Sequence, residues 1–193
     1  MTTARAAACS HQLNMRVYLM EAESGHIYEE AELSDITGMN ICMNESFSPD
    51  GRMLDISIEN NTSELKKGKL LIINEPIDCE KDHVALLPPL HSHSVHFLEG
   101  FVYLVDGKMD NGFTRQSTFS WMKERSLPEL FTHPAAYQPI VKGEAASVLC
   151  FDYSCQGFTR IEGAIWSLMG EEIDDLLKIS EGLKIGLAFK IKK

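Results

Sequence analysis

Short apolar runs separated by closely spaced turn signals dominate the chain. Ser24-Gly25, Thr37-Gly38, Ser48-Pro49-Asp50-Gly51, Lys67-Gly68, Pro88-Pro89, Asp106-Gly107, Asn111-Gly112 and Lys142-Gly143 interrupt it at short intervals. These residue pairs favour the tight backbone angles of turns. The runs between them have strand character. Met53–Ile58 alternates in part, and Lys69–Ile73 is a compact apolar run suited to a covered sheet. Phe101–Val105 is β-branched and aromatic, and its ending on Asp106-Gly107 predicts a hairpin. Ser147–Phe151 is a further strand. Many short strands between regular turns predict a sandwich, jelly roll or small barrel.

The pattern changes towards the C-terminus. Phe158, Ile161, Ile165 and Leu168 follow a helical spacing, and Ile173, Leu176, Leu177 and Ser180 form a second stripe. Two short helices packed outside the β-structure are predicted. Gly182 and Gly186 weaken a continuous helix, and Leu187–Ile191 reads as a returning edge strand.

Length and composition narrow the class. With 193 residues, 44% hydrophobic and 24% charged, one folded domain over residues 1–193 is expected. The net charge is -10 with only 18 Lys and Arg, so no surplus of cations is present to neutralise phosphates. Neither nucleic acid nor an anionic membrane is an expected partner. Five cysteines without a CxxC pair read as free thiols, and the opening segment lacks an apolar signal-peptide core. A cytoplasmic protein is expected.

Candidate chemistry concentrates in one stretch, Leu87-Pro-Pro-Leu-His-Ser-His-Ser-Val-His-Phe-Leu-Glu-Gly100. His91 and His93 lie two apart, which on a strand points both imidazoles to one face. A carboxylate, Glu99, follows. Two imidazoles and a carboxylate suit Fe, Mn, Ni, Cu or Zn, with coordination positions left for a substrate. No phosphate-binding loop, dinucleotide glycine pattern or GxSxG elbow is present.

This stretch resembles the first motif of the cupins, HxHx(3,4)Ex(6)G. Pro128-Glu-Leu-Phe-Thr-His133 is similar to their second, PxGxxHxxxN. Gly68–Ile73, and Gly157–Glu162 running on to Gly170, resemble the flanks of that region in quercetin 2,3-dioxygenase-like cupins. The resemblance implies an all-β, cupin-type jelly-roll barrel with short C-terminal helices. Its core barrel would span about residues 39–155, after N-terminal strands over 15–38 and before a helical segment over 156–193. It further implies one divalent transition metal ion held by His91, His93, Glu99 and His133, with Glu99 also the catalytic base. A bulge before the strand would bring Glu99 into the ligand slot; His96 is the alternative ligand, and His11, His26 and His83 receive no role. Phe101, Tyr103, Phe119, Trp121 and Tyr137 are the candidate lining of a pocket for a planar small molecule.

The implied activity is metal-dependent oxygenation of an aromatic or enolisable small molecule. Two alternatives stand beside it: an isomerase, cyclase or lyase using the same metal, and a binding-only cupin whose metal site has decayed. A homodimer paired through strand edges is expected.

Overall fold

A computed structural model describes residues 13–77, 83–88, 93–110, 113–122, 139–143 and 145–190. Two antiparallel sheets face one another. The first runs β2 (Ile27–Glu29), β1 (Leu13–Glu21), β5 (Lys66–Pro76), β11 (Ala145–Cys155) and β9 (Phe113–Met122). The second runs β10 (Ile140–Lys142), β6 (Val84–Leu86), β7 (Ser94–Leu98), β8 (Phe101–Met109), β12 (Arg160–Gly170), β4 (Gly51–Asn60) and β3 (Met39–Ser48). A short 3-10 helix, Glu30–Asp35, follows β2, and one α-helix, α1 (Ile173–Lys190), ends the described chain. The all-β expectation holds in this form, as a two-sheet sandwich.

Period-two alternation sorts the strands into faces. Val17, Leu19, Leu70, Ile72, Leu149 and Phe151 of the first sheet meet Ile56, Ile58, Tyr103, Val105, Ile161 and Ile165 of the second in one interior cluster. The opposite parity of the second sheet (Val95, Val102, Leu104, Ala164, Trp166, Leu168) lies under α1, whose Leu176 is buried against it. Tyr18, Leu71, Ile73, Val148 and Cys150 form a third cluster on the outer face of the first sheet.

Three sequence expectations change here. Residues 160–170 form β12, not a helix. β12 lies between β8 and β4, with Ile161 and Ile165 facing the interior and Ala164, Trp166 and Leu168 facing α1. A strand buried on both faces loses its alternation, so its apolar positions also fit a helical spacing. The second stripe is helical as expected, but α1 continues through Gly182 and Gly186 to Lys190, where an edge strand was expected. Asp106-Gly107 is no turn either: β8 runs through it, because Asp106 faces α1 and ion-pairs with Lys184 at 2.6 Å.

Candidate functional site

Of the proposed metal ligands, His93 and Glu99 are described, and they stand at opposite ends of β7. His93 is buried immediately before β7, while Glu99 follows the last residue of that strand and is exposed. Leu98 pairs with Phe101, so Glu99 and Gly100 form a two-residue hairpin loop with φ of +50° and +79°. Positive φ at both positions is the type I′ turn that closes tight hairpins. At about 3.3 Å per residue along β7, His93 and Glu99 lie about 20 Å apart. First-row metals hold carboxylate and imidazole ligands at about 2 Å, so one ion cannot bind both. The resemblance's ligand set therefore does not hold at Glu99. His91, His133 and Tyr137 lie outside the described residues. Among those described, no group of three or more His, Cys, Asp or Glu side chains is gathered as a metal site.

Glu99→Asn separates the two roles of this residue. Asn-Gly is the preferred type I′ loop, so the substitution is expected to leave stability unchanged or raise it by about 0.5 kcal/mol. A metal ligand would instead lose bound metal. Urea unfolding and elemental analysis of the purified variant read both.

Two of the expected pocket residues, Phe101 and Tyr103, share one cluster. Tyr103 is fully buried in the interior cluster, and Phe101 packs against the same cluster. Phe119 and Trp121 lie on β9, paired with Val148 and Ala146 of β11.

What the fold does assemble is a polar chain crossing the sandwich interior. On β7, Val95 faces α1 while Ser94, His96 and Leu98 take the inward parity. His96 Nε2 lies 2.8 Å from Ser147 Oγ on β11, in the opposite sheet, and Ser94 Oγ donates to the same Ser147 oxygen at 2.8 Å. The other nitrogen of His96, Nδ1, lies 2.9 Å from His83 Nε2. His83 Nδ1 lies 3.0 Å from the Gly143 carbonyl oxygen. The two imidazole planes are within 4° of parallel, with centroids 5.1 Å apart, and the short nitrogen contact joins their edges. Ser94, His83, His96 and Ser147 are all fully buried.

Burial fixes the protonation of this chain. Removing His96 from water pushes its pKa down to about 3, and the neighbouring His83 adds to the shift. Burial also lowers His83, against a raising contact with the Gly143 carbonyl. Both rings are therefore neutral at neutral pH. A carbonyl oxygen only accepts, so His83 carries its proton on Nδ1 and accepts at Nε2. His96 must then donate from Nδ1 and accept at Nε2, where Ser147 donates. The chain has one polarity: Ser94 to Ser147 to His96 to His83 to the Gly143 carbonyl.

That polarity limits the chemistry. A proton cannot pass along the chain, because its last acceptor is a peptide carbonyl. Ser147 and His96 have the contact of a nucleophile and its base, but a base with a pKa of about 3 takes up little of a hydroxyl proton at neutral pH. The chain instead offers a fixed array of aligned dipoles, which strengthen one another in a low-dielectric interior.

Beside it lies an unsatisfied group. Asn74 of β5 is directly opposite Ser147 in the β5–β11 ladder and shares its face, with Leu70 and Ile72 of β5 and Leu149 of β11 on the same inward parity. Asn74 is fully buried, and neither its amide nitrogen nor its amide oxygen has a hydrogen-bond partner among the described residues. A buried amide with no hydrogen bond costs about 1–3 kcal/mol. Buried Ser94, His96, Asn74 and Ser147 thus lie together between the sheets.

His83 and Asn74 were not legible as site residues from sequence. The one available signal was polar residues at inward positions of apolar strands, Ser94 and His96 on β7 and Ser147 on β11.

No protein-family model matches the sequence, and no curated protein does. Among solved structures, envelope protein VP37 of White Spot Syndrome Virus is similar over 83% of this chain and 97% of its own, at 10% identity and a TM-score of 0.19. A likeness that slight bears on neither fold nor function.

Proposed function

We propose that this protein is a jelly roll of the cupin type that binds a small, neutral, polar molecule between its sheets beside Asn74, Ser94 and Ser147. Strand order supports the jelly-roll reading. β4, β12 and β8 are neighbours in one sheet and β5, β11 and β9 in the other, with the chain crossing between sheets from β4 to β5, β8 to β9 and β11 to β12. The single observation that carries the binding role is the Asn74 amide, buried beside a hydrogen-bonded array and without a partner among the described residues. Its two donors and its acceptor suit a hydroxyl, carbonyl or amide group of a ligand. A neutral ligand fits better than an ion, because the neighbouring histidines are held uncharged.

Asn74→Leu tests this reading by separating stability from function. Leucine has a similar volume and removes the unpaired amide, so the ligand-free variant is expected to be more stable by about 1 kcal/mol in urea unfolding. Thermal shifts with quercetin, catechol and myo-inositol give the second readout. A stabilising probe for the wild type that has no effect on the variant supports the site. A variant that is destabilised, or that keeps the wild-type response, removes it.

A metal-dependent reaction is the second reading, favoured by the burial of His93 next to Ser94. Here His91, His93 and His133 would hold the ion without Glu99, and the bound metal would polarise a substrate oxygen. Substrate deprotonation would need a base other than Glu99. Elemental analysis of wild type and of His91→Ala with His93→Ala tests the ion, and oxygen uptake with quercetin separates oxygenation from isomerisation. Absence of metal from the wild type rejects this reading and leaves the binding role standing.

A further inference from the structure

We infer that β3 is a self-pairing edge, through which two copies of this chain join their seven-stranded sheets into one continuous sheet. β3 is the last strand of its sheet, with ten residues paired one-to-one with β4, from Met39 opposite Asn60 to Ser48 opposite Gly51. Its other side carries the alternate backbone donors and acceptors and faces no described strand. The opposite edge of the same sheet, β10, has three residues.

Exposed edges are normally protected by lysines, prolines, bulges, inward-pointing charges or short length. β3 has only one of these, Glu45 on the parity of Ile41 and Met43. Its sequence, Met-Asn-Ile-Cys-Met-Asn-Glu-Ser-Phe-Ser, contains neither lysine nor proline, and its ladder to β4 is unbroken. The one charge, Glu45, is ion-paired with Arg52 on β4. An edge this long and neutral contrasts with a chain carrying a net charge of -10.

The occupant is a second copy for three reasons. A two-fold axis normal to the sheet pairs β3 with its own image antiparallel, as every other strand in this sheet is paired, and needs no second surface. An axis at Cys42 or Met43 keeps Ile41 and Met43 of both copies on the interior face. These two side chains are only partly buried against the core and gain cover from the partner. The same axis sets Glu45 opposite Met39 or Ile41, so no like charges meet. Asn40, Cys42 and Asn44 on the other face of β3 are exposed.

Sedimentation equilibrium of the full chain at micromolar to submillimolar concentration tests the inference, with the double variant Asn44→Lys, Ser46→Lys as comparison. Wild type is expected at twice the chain mass, and the variant at the chain mass with an unchanged melting temperature. A monomeric wild type overturns the inference, as does a variant that stays dimeric. Should the variant fail to fold, hydrogen exchange of the wild type at two concentrations decides. Protection of β3 amides that rises with concentration supports the pairing, and protection independent of concentration overturns it. Ligand binding at Asn74 is untouched by either outcome.

Discussion

Acidification is expected to destabilise this protein well before its carboxylates protonate, at about 1.4 kcal/mol per pH unit from His96 alone. The sign follows from proton counting. Unfolded His96 takes up a proton as the pH falls through the ordinary value of 6.5, while the folded protein refuses it until about pH 3. Between those values the unfolded state holds more protons, so stability falls as pH falls; above 6.5 the contribution is fully present. His83, also lowered by burial, adds to the slope in the same direction. His96→Ala removes its share of the acid slope. At neutral pH it also leaves the Ser147 hydroxyl proton without its acceptor and His83 Nε2 without its donor and opens a cavity, at an expected cost of about 3 kcal/mol. Urea unfolding of wild type and variant at neutral pH and at about pH 5 measures both effects.

The second large effect concerns α1. Asp106, only 1% exposed, ion-pairs with Lys184 at 2.6 Å and accepts from Ser180 Oγ at 3.2 Å. Ser180 in turn accepts from Trp166 Nε1 at 3.0 Å, and Lys108 donates to the Lys184 carbonyl at 2.8 Å. One carboxylate on β8 thus ties the helix to the outer face of the sheet. Lys184 keeps its second partner, Glu181 at 3.0 Å, and some exposure, so Asp106→Ala is expected to cost about 2 kcal/mol, below the range for fully buried pairs, chiefly through the lost Ser180 and Lys184 contacts to the helix. Replacing both partners, Asp106→Leu with Lys184→Met, is expected to recover most of that loss. A double-mutant cycle by urea unfolding reads the coupling.

Lys69–Ile73, Phe101–Val105 and Ser147–Phe151 were legible as strands although both of their faces are buried, because each is a short, compact apolar run. β12, buried on both faces too, was misread because its apolar positions, Ile161 and Ile165 in the interior and Trp166 and Leu168 beneath α1, are spread over a longer segment and fit a helical spacing. Asp106-Gly107 has turn composition, yet a long-range ion pair with Lys184 holds it in a strand. At the site, the sequence motif led to the strand that carries Ser94 and His96. Glu99 misled because Glu-Gly serves as a hairpin loop, a local role that looks the same in sequence as a ligand. The polar chain was hidden for a different reason. Its central contact joins His96 and Ser147 from opposite sheets, 51 residues apart, and no spacing rule encodes a cross-sandwich hydrogen bond.

The polar array rests on His96 being neutral, with its proton on Nδ1. Nitrogen-detected NMR of histidine-labelled protein, followed from neutral pH downward, measures this directly. The structure requires a His96 ring protonated at Nδ1, accepting at Nε2, with no titration until the protein unfolds. A His96 protonated at Nε2, or one titrating near 6.5 in the folded protein, would contradict the array and the binding site built beside it.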